Sequence, residues 1–168
     1  MTREQLLDIL REVKDPELPF IDVVELGVVR DVVIDSGRVR VDITPTYSGC
    51  PAIQVIEREV GEALRAQGFE DVEVRTVLTP SWTTDWMSDD TRRKFREHGI
   101  APPGLVAASG GIHELVSIGR AERARKTAEC PYCGSSDTTE KSEFGSTACK
   151  SIHFCDSCHQ PFDSFKAF

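Results

Sequence analysis

Six cysteines carry most of the chemistry open to this 168-residue chain, and they fall into two settings. Cys50 stands alone within Pro45-Thr46-Tyr47-Ser48-Gly49-Cys50-Pro51. A strand is expected to run out at Thr44 and a long helix to begin at Pro51, so the turn between them delivers one thiol to a helix start. Proline suits the first helical position because the N–H it lacks would have no partner there, and Gly49 relieves the sharp corner before it. A thiol at or beside such an N-cap faces unpaired backbone N–H groups. Their partial positive charge favours the thiolate, so the sequence predicts a pKa for Cys50 below the free value of about 8.5.

The other setting is Cys130-Pro131-Tyr132-Cys133-Gly134 and Cys155-Asp156-Ser157-Cys158-His159, two C-x-x-C knuckles separated by 21 residues. Two tight turns of this spacing can each aim two sulfurs at one ion, with the intervening strands closing a ribbon. A segment of about 40 residues cannot build a sufficient apolar core, so a metal ion would supply much of its folding free energy. Zinc is the expected structural ion at Cys130, Cys133, Cys155 and Cys158; iron or an iron-sulfur cluster is the competing occupant. Cys149 is a further thiol, read as a ribbon core residue, an auxiliary ligand or a redox partner. A dithiol oxidoreductase would need a strand-to-helix setting that this tail does not offer. His98 and His113 are isolated and read as surface residues.

The elements that position these groups follow from periodicity. Thr2 and Gln5 have the form of a capping box, and Leu6, Ile9, Leu10 and Val13 recur at helical spacing, predicting a helix from about Arg3 to Lys14. Asp15-Pro16-Glu17-Leu18-Pro19 then forms an extended or turned loop that holds two carboxylates close together. Val28 to Ile34 and Arg38 to Ile43 read as a hairpin around Asp35-Ser36-Gly37, with Val39, Val41 and Ile43 on the buried face. The helix from Pro51 places Ala52, Val55, Ile56, Val60, Ala63 and Leu64 on one stripe and ends at Gly68. Val72 to Leu78 alternates as a third strand. Thr79 to Met87 carries both tryptophans, Trp82 and Trp86, either as a rim beside the Cys50 turn or as a plug at the core edge. A short helix from Asp89 to His98 follows. The fold class is therefore α+β: an α-β-β-α-β domain over 1–104, a basic linker over 105–128 that is weakly patterned apart from a short helix over Arg120 to Lys126, and a zinc-ribbon-like domain over 129–168.

Net charge is −8, against a general nucleic-acid binder, because phosphate contacts supply most of that affinity. The charge is unevenly spread: residues 1–90 are strongly acidic, 91–128 are basic and 129–168 are mildly acidic. The basic stretch reads as a solvated linker face or a docking surface for an acidic partner. No apolar run approaches the length of a membrane span, and residues 1–20 lack a signal-peptide core, so a cytoplasmic protein without membrane contact is expected.

Several of these stretches together resemble one family. Asp15 to Pro19, Leu26 to Arg30 and Thr44 to Pro51 are similar to the metal-sulfur cluster assembly domain family. Trp82 to Met87, Phe144 to Lys150 and Pro161 to Lys166 narrow the resemblance to its phenylacetate-degradation branch. The resemblance implies an accessory role beside a phenylacetyl-CoA epoxidase, in which a di-iron oxygenase subunit performs the reaction and a flavin and iron-sulfur reductase supplies electrons. It marks Cys50 as the functional thiol, with Asp15 and, more weakly, Glu17 in support, and the reductase as the first candidate for a client. The expected role is a maturation factor, not catalytic alone, that holds iron or an iron-sulfur cluster transiently at Cys50. Further ligands would come from a second copy, the client or glutathione. Two other readings stay open: a thiol enzyme with Cys50 as nucleophile, although no histidine precedes His98 to serve as its base, and a zinc-ribbon binding module.

Overall fold

The computed structural model describes residues 2–104 and 128–168. The expected linker, apart from Ala128, its short helix and His113 lie outside the described residues. The chain divides into two compact units, Met1–Thr91 and Arg92–Phe168. The sequence reading draws its first boundary at residue 104.

In the first unit, helix α1 (Arg3–Leu10) is closed by a capping box: Gln5 N–H donates to Thr2 Oγ1 and Thr2 N–H to Gln5 Oε1. It ends a turn earlier than the periodicity predicts, because Val13 leaves the helix to accept a backbone bond from Val23 at 3.1 Å. The loop expected after it is a two-stranded ribbon, β1 (Lys14–Asp15) and β2 (Leu18–Asp22). This addition to the expected element order is carried by extended prolines and by Asp15, whose Oδ1 accepts the N–H groups of Glu17 and Leu18 at 2.8 and 2.9 Å.

The main sheet has the order β3-β4-β5, with β3 (Val29–Asp35) antiparallel and β5 (Val72–Thr76) parallel to the central β4 (Arg38–Ile43). The hairpin turns at Ser36 and Gly37, both at positive φ, which matches the right-handed twist of the two strands. Val39, Val41 and Ile43 are fully buried, as their alternation predicts. The crossover from β4 to β5 is helix α2 (Ala52–Ala66), which buries Ala52, Ile56, Val60, Gly61 and Leu64 and stops before Gly68, at φ +92°. Helix α1 packs on β3 and α2 on β5, and the two helices touch, giving one helical layer over the sheet.

The second unit holds a four-stranded sheet in the order β6-β9-β8-β7, from Ile100–Ala101, Pro161–Phe165, Lys150–Cys155 and Thr138–Ser142. Helix α3 (Asp89–Glu97) spans the division between units, and its Phe95 meets Phe165 with ring centroids 5.1 Å apart. No described helix is long and apolar enough to cross a membrane.

Candidate functional site

Parallel pairing of β4 and β5 decides the geometry around Cys50. Ile43 is in register with Thr76, so the chain leaving each strand emerges at the same carboxyl end of the sheet. Thr44 N–H donates to Val28 O at 2.8 Å and Val77 N–H to Ile43 O at 2.8 Å, which bring the Leu26–Val28 segment to that end too. Trp82 joins them: its Nε1–H donates to Leu26 O at 3.0 Å and the residue is buried. Trp86 is 38% exposed and carries the Arg30 guanidinium over its ring, 3.7 Å from the centroid. The two tryptophans thus divide the expected alternatives, Trp82 plugging the core edge and Trp86 standing at the rim.

Cys50 is half-buried. Its N–H donates to Tyr47 O at 3.1 Å, closing the turn, and Pro51 occupies the cap position with Ala52 as the first helical residue, one place later than predicted. The backbone N–H groups of Ala52 and Ile53 reach the sulfur and act to lower its pKa, as expected of a helix start. The net direction is nevertheless the reverse of the prediction. Burial, which disfavours the charged form, pushes the Cys50 thiol up, and the nearby carboxylates of Glu17 and Asp15 add to it. The structure therefore brings Asp15 and Glu17 near the thiol, where their charge adds to the upward push of burial. Asp15 is buried and spends one oxygen on its own turn. Cys50, Asp15 and Glu17 do not converge as a set of metal ligands: among the described residues, such a group forms only in the ribbon.

There the four sulfurs of Cys130, Cys133, Cys155 and Cys158 all lie within 4.8 Å of one another. Cys130 and Cys158 are 3.6 Å apart, as are Cys133 and Cys155, and none is in a disulfide. A tetrahedral ion with metal–sulfur bonds of about 2.3 Å requires sulfur–sulfur edges of about 3.8 Å, so the cage fits such an ion closely. The two knuckles repeat one backbone pattern. Cys130 N–H donates to Ser135 O and Gly134 N–H to Cys130 O; Cys155 N–H donates to Gln160 O and His159 N–H to Cys155 O. Gly134 at φ +73° and His159 at φ +59° occupy the matching left-handed position. The sequence reading missed this role of His159; its signal was the place four residues after the first cysteine of its knuckle. Backbone N–H groups of Cys158 and Ser157 draw the Cys155 thiol down to about 7, whereas burial pushes Cys158 up to about 12. All four sulfurs can be thiolates together only with a cation among them to offset their charge.

Cys149 is not part of that group. It is buried at the opposite end of β8, with its sulfur 3.0 Å from Thr147 Oγ1 and its carbonyl accepting from Lys166 N–H. Gly145 lies against the same stretch, where an added Cβ would come within 3.2 Å of Lys150 Cβ. Motif residues Phe144 to Lys150 and Pro161 to Lys166 thus build one end of the ribbon, with Lys166 Nζ bonded to Ala148 O at 2.8 Å.

Comparison with known proteins fits both sites. Residues 3–76 match the iron-sulfur cluster assembly protein family, and residues 117–166 match the PaaD zinc beta ribbon domain. A protein of Escherichia coli (strain K12), provisionally named as one of the subunits of 1,2-phenylacetyl-CoA epoxidase, is 42% identical over 94% of this chain and 88% of its own. The Fe-S protein maturation auxiliary factor YitW of Bacillus subtilis (strain 168) is 41% identical over 51% of this chain and 85% of its own. A crystal structure of a domain of unknown function, DUF59, from Bacillus anthracis is 33% identical, covers 53% of this chain and 86% of its own, and superimposes with a TM-score of 0.50. With similarity to the Escherichia coli protein running through both units, this chain belongs to the PaaD family, as an iron-sulfur cluster assembly domain followed by a PaaD zinc β-ribbon.

Proposed function

We propose that this chain is an accessory maturation factor of a phenylacetyl-CoA epoxidase system, with an iron-sulfur cluster as cargo and the reductase component as client. The observation that carries this reading is that Cys50 lies inside the segment 3–76 that matches the iron-sulfur assembly family, presented half-buried just before the cap of α2. The likeness to the Escherichia coli epoxidase protein, over nearly the whole chain, supports the epoxidase system as the setting, and the likeness to YitW supports maturation as the role.

Cys50 acts as the transient ligand. The thiol gives its proton to solvent as iron of the cargo takes the sulfur, and the Ala52 and Ile53 N–H groups then stabilise the bound sulfur charge. One thiol supplies one ligand, so the remaining ligands come from the client, a second copy or glutathione. Exchange stays possible because the site is not a closed cage. The ribbon holds zinc: a bound zinc ion would offset half of the negative charge of the Cys130, Cys133, Cys155 and Cys158 thiolates and lock the two knuckles together, a structural use that leaves no open coordination position. A nucleophilic role for Cys50 gains nothing from a thiol held above its ordinary pKa, and no histidine precedes His98 to activate it.

The test is to co-express the reductase with the wild-type chain or with Cys50→Ala and to measure iron and acid-labile sulfide in the purified reductase. Cluster content should fall with the variant while the ribbon retains one zinc per chain. Equal cluster content in the two reductase preparations would sink the proposal.

A further inference from the structure

The carboxyl end of the β3-β4-β5 sheet has a chemistry that the thiol alone does not explain. The segments that gather there, 15–27, 44–50 and 77–91, contain seven Asp and Glu residues and no Lys, Arg or His; Asp15 and Asp22 are buried, Lys14 Nζ pairs with Asp22 at 3.7 Å and Arg30 covers Trp86, so Asp85, Asp89 and Asp90 are the exposed acids around the tryptophan. Two large apolar side chains stand open among them: Leu78 is 60% exposed directly after β5, and Trp86 is 38% exposed. Asp85, Asp89 and Asp90 flank the tryptophan in sequence and are exposed. Arg30 already lies over the Trp86 ring, so this aromatic group accepts a guanidinium.

We infer that this end of the sheet is the docking face for a client protein that presents lysine and arginine side chains around an apolar contact, with Leu78 and Trp86 as anchors and Asp85, Asp89 and Asp90 as the charged rim. Aromatic and apolar anchors inside a charged surround are how protein interfaces combine contact energy with orientation. Charge complementarity selects the occupant. A second copy of this chain brought against the same face would oppose acid to acid, and nucleic acid is repelled outright. The inference rests on the maturation reading for the identity of the client, and on the sheet end itself for the chemistry of the contact.

The test is the affinity of the purified reductase for the full-length chain at 50 and 300 mM salt. Binding should weaken with salt, and the triple substitution Asp85→Asn, Asp89→Asn, Asp90→Asn should weaken it by about tenfold at low salt, more than at high salt. Leu78→Ser, at a side chain that contributes little to the fold because it is already exposed, should weaken binding at both salts. Salt-independent binding, wild-type affinity in both the charge and the Leu78 variants, or no reductase binding at low salt would each overturn the inference. So would self-association of the chain that Leu78→Ser abolishes, which would assign the face to a homodimer. The two proposals fail separately: loss of docking in the charge variant with full cluster content in Cys50→Ala would discard the maturation role and keep the face, and the converse would do the opposite.

Discussion

The two units of this protein place their cysteines in opposite relations to the hydrophobic core. In the first, the core is made of Leu6, Leu10, Ile21, Val39, Val41, Ile43, Ile56, Val60 and Leu64, all at most 2% exposed, and Cys50 stands apart from it. In the second, Ala101, Cys130, Cys155 and Phe162 form a buried cluster, so two ligand cysteines are themselves core residues. The difference teaches where function can vary. A thiol outside the core can be deprotonated, ligated and released without moving the fold, whereas a thiol inside it cannot change state without unmaking the unit.

The sharpest way to break that comparison is to remove a ribbon ligand. Cys155→Ser, or metal chelation, should unfold the second unit, for in small zinc domains the bound ion contributes about 10–16 kcal/mol. Hydrogen exchange should then collapse across 128–168 while amides of α2 and β4 stay protected. Protection loss spreading equally through both units would mean that the division between core-built and metal-built units is wrong. Ile56→Ala is the reciprocal change. It should destabilise the first unit by about 2–5 kcal/mol in denaturant unfolding, with no loss of bound metal.

A smaller effect sharpens the knuckle geometry. His159→Gly removes a side chain from a left-handed position at φ +59° and should stabilise the ribbon by roughly 1 kcal/mol, offset in part by the lost ring contact with Phe154, whose centroid is 6.3 Å away. A thermal scan of the metal-loaded protein would read it, and destabilisation would show that the His159 ring matters more than its backbone. The least disruptive change is Glu17→Gln. It removes one of the charges that raise the Cys50 pKa, so the pKa falls, the thiolate fraction at a fixed, mildly alkaline pH rises, and alkylation of Cys50 by a neutral reagent should quicken without loss of stability. An unchanged rate would show that burial alone holds the thiol protonated.

Much of the first unit was legible along the chain. The capping box at Thr2, the alternation of Val39, Val41 and Ile43, and the α2 stripe ending at Gly68 are short-range patterns, and the structure follows them. Strands β1 and β2 were less so, because prolines and an Asx turn look alike in a loop and in a narrow ribbon. Strand β6 left no signal, since two residues become a strand only when a partner, here Asp163 and Ser164 of β9, lies beside them.

By itself the sequence determined the α+β order of the first unit, the pairing of two C-x-x-C knuckles, and the delivery of Cys50 to a helix start, because hydrophobic period, turn chemistry and ligand spacing all act over a few residues. Only the tertiary structure decided that the Cys50, Leu26 and tryptophan segments share one end of the sheet, which follows from the parallel register of Ile43 and Thr76. It alone decided that Trp82 is buried and Trp86 exposed. The direction of the Cys50 pKa shift was decided there as well, since the helix start acts locally on the sulfur but burial, with the carboxylates of Glu17 and Asp15 far away along the chain, acts on it through space and prevails.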